Sequence, residues 1–287
     1  MNSLHSKQPK GTDSDRTNAE VIAINIMGLS YSGGTWLGFL LGSNNNAFML
    51  GELHLAARRQ ETPCLIHGDE CPVWPHIDIS PDATVNPLIQ IANRTEKKFL
   101  IFSHNRRPKL YQDHPNITSV ILYLHRDPRA LAASNLRKGI TRSTLHSIRY
   151  LLHEERRLRK IIRRSKNRNI IHVSYEQLTS DTAGTLKRIS NAIGMTYHAD
   201  QLEYWNFDHC CVFGNPTTVL EQAKKKQSNT DTISNHAAKE NWQHDKNQNY
   251  DPASFTDQRW KSELKRWQQH LIAATVNPIV KLMHKTV

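Results

Sequence analysis

The 287-residue sequence predicts an α/β fold: a central parallel sheet with helices on both faces, a P-loop-like turn after the first strand, and a C-terminal helical extension. Three observations carry this prediction. Short runs that are apolar throughout alternate with amphipathic helical stretches, as expected for strands covered on both faces. The first apolar run leads directly into a glycine-rich turn and a helix. The segments at Gly28–Thr35, His104 and His125–Arg126 each follow a strand, and ligands of open parallel sheets bind at the carboxyl ends of strands.

The elements follow in order. Residues 1–20 are polar, lack the apolar core of a secretory signal, and read as a disordered leader. Residues 21–287 are long enough for one large domain. Val21–Met27 is a strand, and a helix begins within Gly33–Gly42. Pro87–Arg94 is a short helix and Lys98–Ser103 a strand. Ile117–Leu124 is the clearest strand, β-branched and apolar at its centre. Arg129–Leu136 and Leu145–Arg164 are helices and Asn169–Val173 a strand. Leu178–Ile193 is a helix stopped by Gly194. Residues 214–257 are poor in apolar side chains and rich in Asn, Gln, Lys and Thr, and read as a mobile segment or lid. Asp257–Leu282 returns to helix, with Trp260, Leu264 and Trp267 on one face.

Composition narrows the partners. The formal net charge is +12, which favours anionic ligands or acidic surfaces. No run of 18 apolar residues is present, so no transmembrane helix is expected, while peripheral membrane contact stays open. Four cysteines do not make a disulfide scaffold, and a reducing cytoplasm is the default compartment. In the long helix, Arg156-Arg157, Arg159-Lys160 and Arg163-Arg164 meet only Glu154 and Glu155. This is either an electropositive steering face or a solvated face with Leu151, Leu152, Leu158, Ile161 and Ile162 turned inward. Only Tyr150 is aromatic there, so the stacking platforms of a nucleic-acid binder are lacking and no nucleic-acid partner is expected.

The turn Gly28-Leu29-Ser30-Tyr31-Ser32-Gly33-Gly34-Thr35-Trp36-Leu37 is built for an anion. Its glycines let backbone N–H groups approach closely, and the helix N-terminus adds partial positive charge. A nucleoside-triphosphate loop reads G-x-x-x-x-G-K-[ST]. Gly28, Gly33 and Thr35 keep that spacing, but Gly34 stands where the lysine belongs. A second segment, Tyr123-Leu124-His125-Arg126-Asp127-Pro128, ends a strand and opens a helix on which Ser134 lies. Arginine suits bidentate contact with phosphate, and Arg126 and Ser134 can face one anionic group. The alternative is that Arg126 pairs with Asp127 or Glu176.

With these residues in hand, the chain resembles the PAPS-dependent sulfotransferases, PAPS being 3′-phosphoadenosine 5′-phosphosulfate, in a bacterial-type soluble form. That family binds the 5′-phosphosulfate with a loop of the type [KR]-S-G-T-T-W-L, matched here by Tyr31-Ser32-Gly33-Gly34-Thr35-Trp36-Leu37. It binds the 3′-phosphate with a strand-end arginine and a serine eight residues on, matched by Arg126 and Ser134. Its Tyr-Glu-x-Leu segment, whose tyrosine lies near the adenine, is matched by Tyr175-Glu176-Gln177-Leu178. The resemblance spans Val21 to Gly194. It implies sulfuryl transfer from PAPS to a hydroxyl or amine of a small-molecule or carbohydrate acceptor, with PAP as product.

The resemblance also proposes two bases. His104 matches the strand-end histidine of the cytosolic branch, and Glu52 matches the glutamate of the heparan-type branch. One departure stands out: the family's basic residue in the first motif is Tyr31 here, and Arg106, Arg107 or Lys109 are the candidate replacements by motif. His209…Gly214-Asn215 resembles a late stretch of carbohydrate-type members that precedes residues closing over the 3′-phosphate. Two rival readings follow from the same residues. A nucleotide or small-molecule kinase is favoured by Thr35 and opposed by Gly34, and a non-catalytic PAPS- or PAP-binding module is favoured by Tyr31. Cys64, His67, Cys71 and His76 have the residue types of a zinc site, but not a standard spacing, and no metal is assigned. Cys210 and Cys211 are expected to be buried rather than bonded to each other.

Overall fold

The computed structural model describes residues 20–53, 64–80, 83–103, 114–164, 169–211, 214 and 257–284. The leader, nearly all of residues 214–257, and His104, Arg106, Arg107 and Lys109 lie outside the described residues. Five strands, β1 (Val21–Gly28), β2 (Ala47–Gly51), β3 (Phe99–Ser103), β4 (Ile117–His125) and β5 (Ile170–Ser174), form one sheet in the order β2-β3-β1-β4-β5. Every pairing is parallel. The helices are α1 (Gly34–Gly42), α2 (Pro87–Thr95), α3 (Pro128–Arg137), α4 (Thr144–Arg164), α5 (Tyr175–Ser180), α6 (Thr182–Ile193), α7 (Trp260–Glu263) and α8 (Arg266–His284).

β1, β3 and the centre of β4 are apolar because both faces of the sheet are covered there, whereas edge strand β5 is half-buried. In β4, Ile121 and Tyr123 pack with Met27 of β1 and with Leu158 and Ile162 of α4. Leu122 and Leu124 join the larger core, which holds Leu37 and Leu40 of α1 and Leu186 and Ile189 of α6. The alternation of β4 between these two cores is the two-residue period of a strand. Beneath the sheet, the Tyr123 hydroxyl donates to buried Glu155, which also accepts from Arg159 Nε at 3.0 Å. Arg159 is thus turned into the core, whereas Arg156, Lys160, Arg163 and Arg164 are exposed.

Strand order places the site. After β1 the chain moves outward to β2 at one edge, and after β4 it moves outward to β5 at the other. The order therefore reverses between β1 and β4, and such a switch point opens a crevice at the strands' carboxyl ends. Gly28 is in register with Leu124, and His125 with Ser174. The loops after β1, β4 and β5 thus leave the sheet at one level.

Three elements differ from expectation. β2 was not anticipated; it is a five-residue edge strand that follows a run of asparagines and is too short to show a period. The expected helix from Leu178 to Ile193 is two helices. Asp181 separates them and caps the second, accepting from Gly184 N at 2.9 Å. The C-terminal helix is likewise broken at Leu264. Leu264 is buried and Trp260 packs on Arg129, but Trp267 is 57% exposed, so the three do not share a buried face. No described helix is long and apolar enough to cross a membrane.

Candidate active site

The turn after β1 is shaped by contacts that exclude larger side chains. A Cβ on Gly28 would lie 2.6 Å from Leu124 O and from Ser32 Oγ, so Gly28 lets β4 and the loop close over it. Ser32 is buried and its N–H donates to Leu29 O at 3.1 Å. Tyr31 and Gly33 adopt positive φ, 69° and 96°. That curl delivers the chain into α1, whose first turn carries no acidic residue and no side-chain cap. The positive end of the helix dipole therefore faces the crevice without internal compensation.

Arg126 and Tyr175 complete the cradle. A Cβ on Gly33 would sit 2.7 Å from the Tyr175 ring, so the loop lies flush against that ring. The buried Arg126 guanidinium lies 4.1 Å from the centroid of the same ring, a cation–π distance. Arg126 Nη1 donates to Tyr31 O at 2.7 Å, and Nη2 pairs with Asp257 Oδ2 at 3.0 Å. Its Nε is buried with no hydrogen-bond partner among the described residues. Burial opposes ionisation of Asp257, but Arg259 and Arg126 outweigh it and hold the carboxyl well below the usual carboxylate range. The expected alternatives for Arg126 are otherwise engaged. Asp127 pairs with Arg129 Nη2 at 2.6 Å, and Glu176 accepts from Asp127 N at 2.8 Å. Ser134 is buried on α3 and accepts from Arg137 Nη2 at 3.3 Å.

Tyr31 is the centre of a second group. Burial, then the nearby Tyr150 and Glu52, push its phenol pKa up. Glu52 follows β2, and burial pushes its carboxyl pKa above the ordinary value. Lys138, at the end of α3, places Nζ 4.9 Å from the Tyr31 ring centroid. The Tyr150 hydroxyl is hydrogen-bonded to Ser30, and beside it opens a groove of about 770 Å³ flanked by Arg149 and Arg156. The structure thus joins Tyr31, Ser32, Gly33, Arg126 and Tyr175 directly and brings Glu52 beside them. Thr35 meets Gly214, whose added Cβ would lie 2.9 Å from Thr35 Cγ2. Trp36 is buried in the core behind the loop. His209 is fully buried, with Nε2 3.2 Å from Ser43 Oγ and 3.1 Å from Tyr204 O, and serves as a core anchor. His125 at the end of β4 is pushed down to about 4 by burial and by His172, and is a neutral imidazole at pH 7.

Three participants were not anticipated. Lys138 lies one helical turn beyond Ser134, so helical periodicity from the Arg126–Ser134 motif points to it. Tyr150 was read only as a lone aromatic. Asp257 has no signal in the sequence, because its partner is brought to it by tertiary packing alone.

Comparison with known proteins bears on the same residues. A family model described as "Sulfotransferase family" matches residues 103–199, a stretch holding Arg126, Ser134 and Tyr175. No curated protein matches the sequence. Among solved structures, the sulfotransferase domain of the Synechococcus PCC 7002 olefin synthase superposes with a TM-score of 0.53 at 16% identity, over 94% of this chain and 98% of that one. The sulfotransferase domain from the curacin biosynthetic pathway gives 0.50 at 14% identity, over 90% and 98%. At these identities the likeness is one of fold: an all-parallel five-stranded sheet with flanking helices, as in sulfotransferases. The chain thus has the sulfotransferase fold, and its residues 103–199 match the sulfotransferase family model.

Proposed function

We propose that the protein transfers a sulfuryl group from PAPS to an acceptor hydroxyl or amine. The observation that carries this reading is the meeting of the β1 loop, Arg126 and Tyr175 at the switch point of the sheet. The cradle fits an anionic nucleotide. Gly28 and Gly33 keep the loop low, the first turn of α1 carries no acidic residue, and Arg126 Nε is a buried donor without a partner among the described residues. Gly34 in place of a lysine removes the β/γ-phosphate contact of a triphosphatase loop, which favours a phosphosulfate over a nucleoside triphosphate.

In this reading the donor supplies the sulfuryl group, and the chain's own residues bind and orient it. Ser32, Gly33, Gly34, Thr35 and Trp36 hold the 5′-phosphosulfate through the loop and the first turn of α1. Arg126 and Ser134 hold the 3′-phosphate, and Tyr175 borders the adenine. Glu52 takes the acceptor proton, since its burial gives it a higher proton affinity than an exposed carboxylate; His104 is the alternative base. Lys138 supplies the positive charge that Tyr31 lacks, stabilising the charge that develops on the leaving phosphate oxygen.

Thermal unfolding with PAP, and separately with ATP plus magnesium, tests donor recognition. A ligand at a hundred times its dissociation constant adds about 2.7 kcal/mol of stability, so PAP raises the midpoint by several degrees. Arg126→Ala removes a charged hydrogen bond of about 1.5–3 kcal/mol and abolishes most of that rise. A magnesium-dependent rise with ATP and none with PAP establishes a kinase instead. PAP binding without PAPS consumption across hydroxyl and amine acceptors establishes a non-catalytic binding module.

A further inference from the structure

Three cysteines and a histidine from two distant stretches meet outside the candidate active site. Cys64, His67 and Cys71 flank the short 3₁₀ turn Gly68–Glu70, and Cys210 follows the 3₁₀ stretch Ala199–Asn206. One ligand atom from each of the four lies within 4.8 Å of all the others. Cys64 Sγ and Cys210 Sγ are each 3.6 Å from His67 Nδ1. A tetrahedral ion with Zn–S near 2.3 Å and Zn–N near 2.0–2.1 Å sets its S···N edges at about 3.6 Å. All four cysteines of the chain are free and buried, so the cluster is not a disulfide.

We infer that Cys64, His67, Cys71 and Cys210 bind one zinc ion in a closed Cys3His site. The surroundings support a metal rather than packed thiols. His67 Nε2 lies 3.0 Å from Asp208 Oδ1, the carboxylate–histidine arrangement that orients a ligating ring and leaves Nδ1 for the metal. The His67 backbone N–H donates to Cys64 Sγ at 3.4 Å, a contact that suits a thiolate ligand. Further bonds hold the two stretches together: Leu65 N–H to Cys211 O at 2.9 Å, and Trp74 Nε1–H to Cys210 O at 2.6 Å. His76 is exposed and outside the cluster, and Cys210 takes the fourth position that sequence spacing offered to His76.

Four protein ligands leave no open coordination position, so the site is structural. Binding requires loss of the three thiol protons, and the metal's affinity falls with falling pH. The site ties the segment after Glu52 to the stretch that leads on to Gly214, which lies against Thr35. This role is independent of which reaction the protein catalyses.

Elemental analysis of the full chain, purified without chelator under reducing conditions, tests the inference. About one zinc per chain is expected. The content falls below about a tenth in Cys71→Ser and Cys210→Ser and stays near one in His76→Ala and Cys211→Ser. Because the ligand variants can fail to fold, cobalt exchange into the wild-type protein provides a second readout: thiolate-to-cobalt charge-transfer absorption together with intense tetrahedral d–d bands. Wild-type protein that carries no metal and shows no such spectrum overturns the inference, as does iron in place of zinc. Zinc kept by Cys210→Ser and lost from His76→Ala overturns the ligand set.

Discussion

In the proposed reaction Glu52 and Gly33 act for different physical reasons, and substitutions separate them. The Glu52 carboxyl is pushed above the ordinary carboxylate value by burial. As a base it works only when ionised, so the rate rises with pH through an apparent pKa higher than that of an exposed glutamate, about 4.3. Glu52→Gln lowers kcat by about 10²–10⁴-fold and removes that acidic limb while PAP binding persists. A limb that survives in Glu52→Gln and disappears in His104→Ala assigns the proton to His104. Gly33 is a matter of shape. At a φ of 96° an L side chain costs about 1–2 kcal/mol in the backbone alone, and the new Cβ meets the Tyr175 ring. Gly33→Ala therefore lowers the unfolding midpoint and weakens PAP binding together, read by calorimetry with and without PAP. Loss of stability with full PAP affinity means that the ring moves aside and the cradle is not shaped by this contact.

At the scale of elements, the segment that opens α7 reaches the site through Asp257, whose carboxylate pairs with Arg126. Its pKa is depressed in the folded protein despite burial, because Arg259 and Arg126 stabilise the anion. Stabilisation from the pair is full above the unfolded value of about 3.9 and is lost as pH falls below it toward the depressed folded value. Asp257→Asn is thus less stable than wild type at neutral pH, and the difference closes below about pH 4. The same carboxylate competes with an incoming phosphate, so Asp257→Asn binds PAP more tightly by titration calorimetry. Weaker binding instead means that Asp257 orients Arg126 rather than occupying it. What the sequence revealed follows the same division. β1, β3 and the centre of β4 were legible because strands covered on both faces are nearly apolar throughout, and the half-buried edge strand β5 by its β-branched Ile170, Ile171 and Val173. β2 escaped because its five residues carry no period. The break at Asp181 was hidden because the apolar pattern continues on either side of a capping side chain. The loop, Arg126 and Tyr175 were legible because their spacing along the chain sets their place on the sheet edge. Asp257 and Cys210 were not, since each finds its partner only through tertiary packing.

For the whole molecule, the net charge of +12 acts at a distance. Lys160, Arg163 and Arg164 are exposed at the end of α4, whereas Arg159 is consumed by its buried pair with Glu155. Any contribution of these exposed cations to donor capture acts through the long-range field. Such a field changes how often an anion arrives and not how long it stays. A triple variant, Lys160→Glu, Arg163→Glu and Arg164→Glu, should slow PAP association by about three- to ten-fold at low salt and leave dissociation unchanged. The difference should shrink as ionic strength rises past 0.1 M, where charges are screened beyond about 10 Å. Stopped-flow binding at a series of salt concentrations gives both rate constants. A faster dissociation in the variant would mean that this end of α4 contacts the nucleotide. Equal association rates at every salt concentration would mean that the local cradle of Arg126, the β1 loop and the α1 dipole captures its anion without help from the rest of the surface.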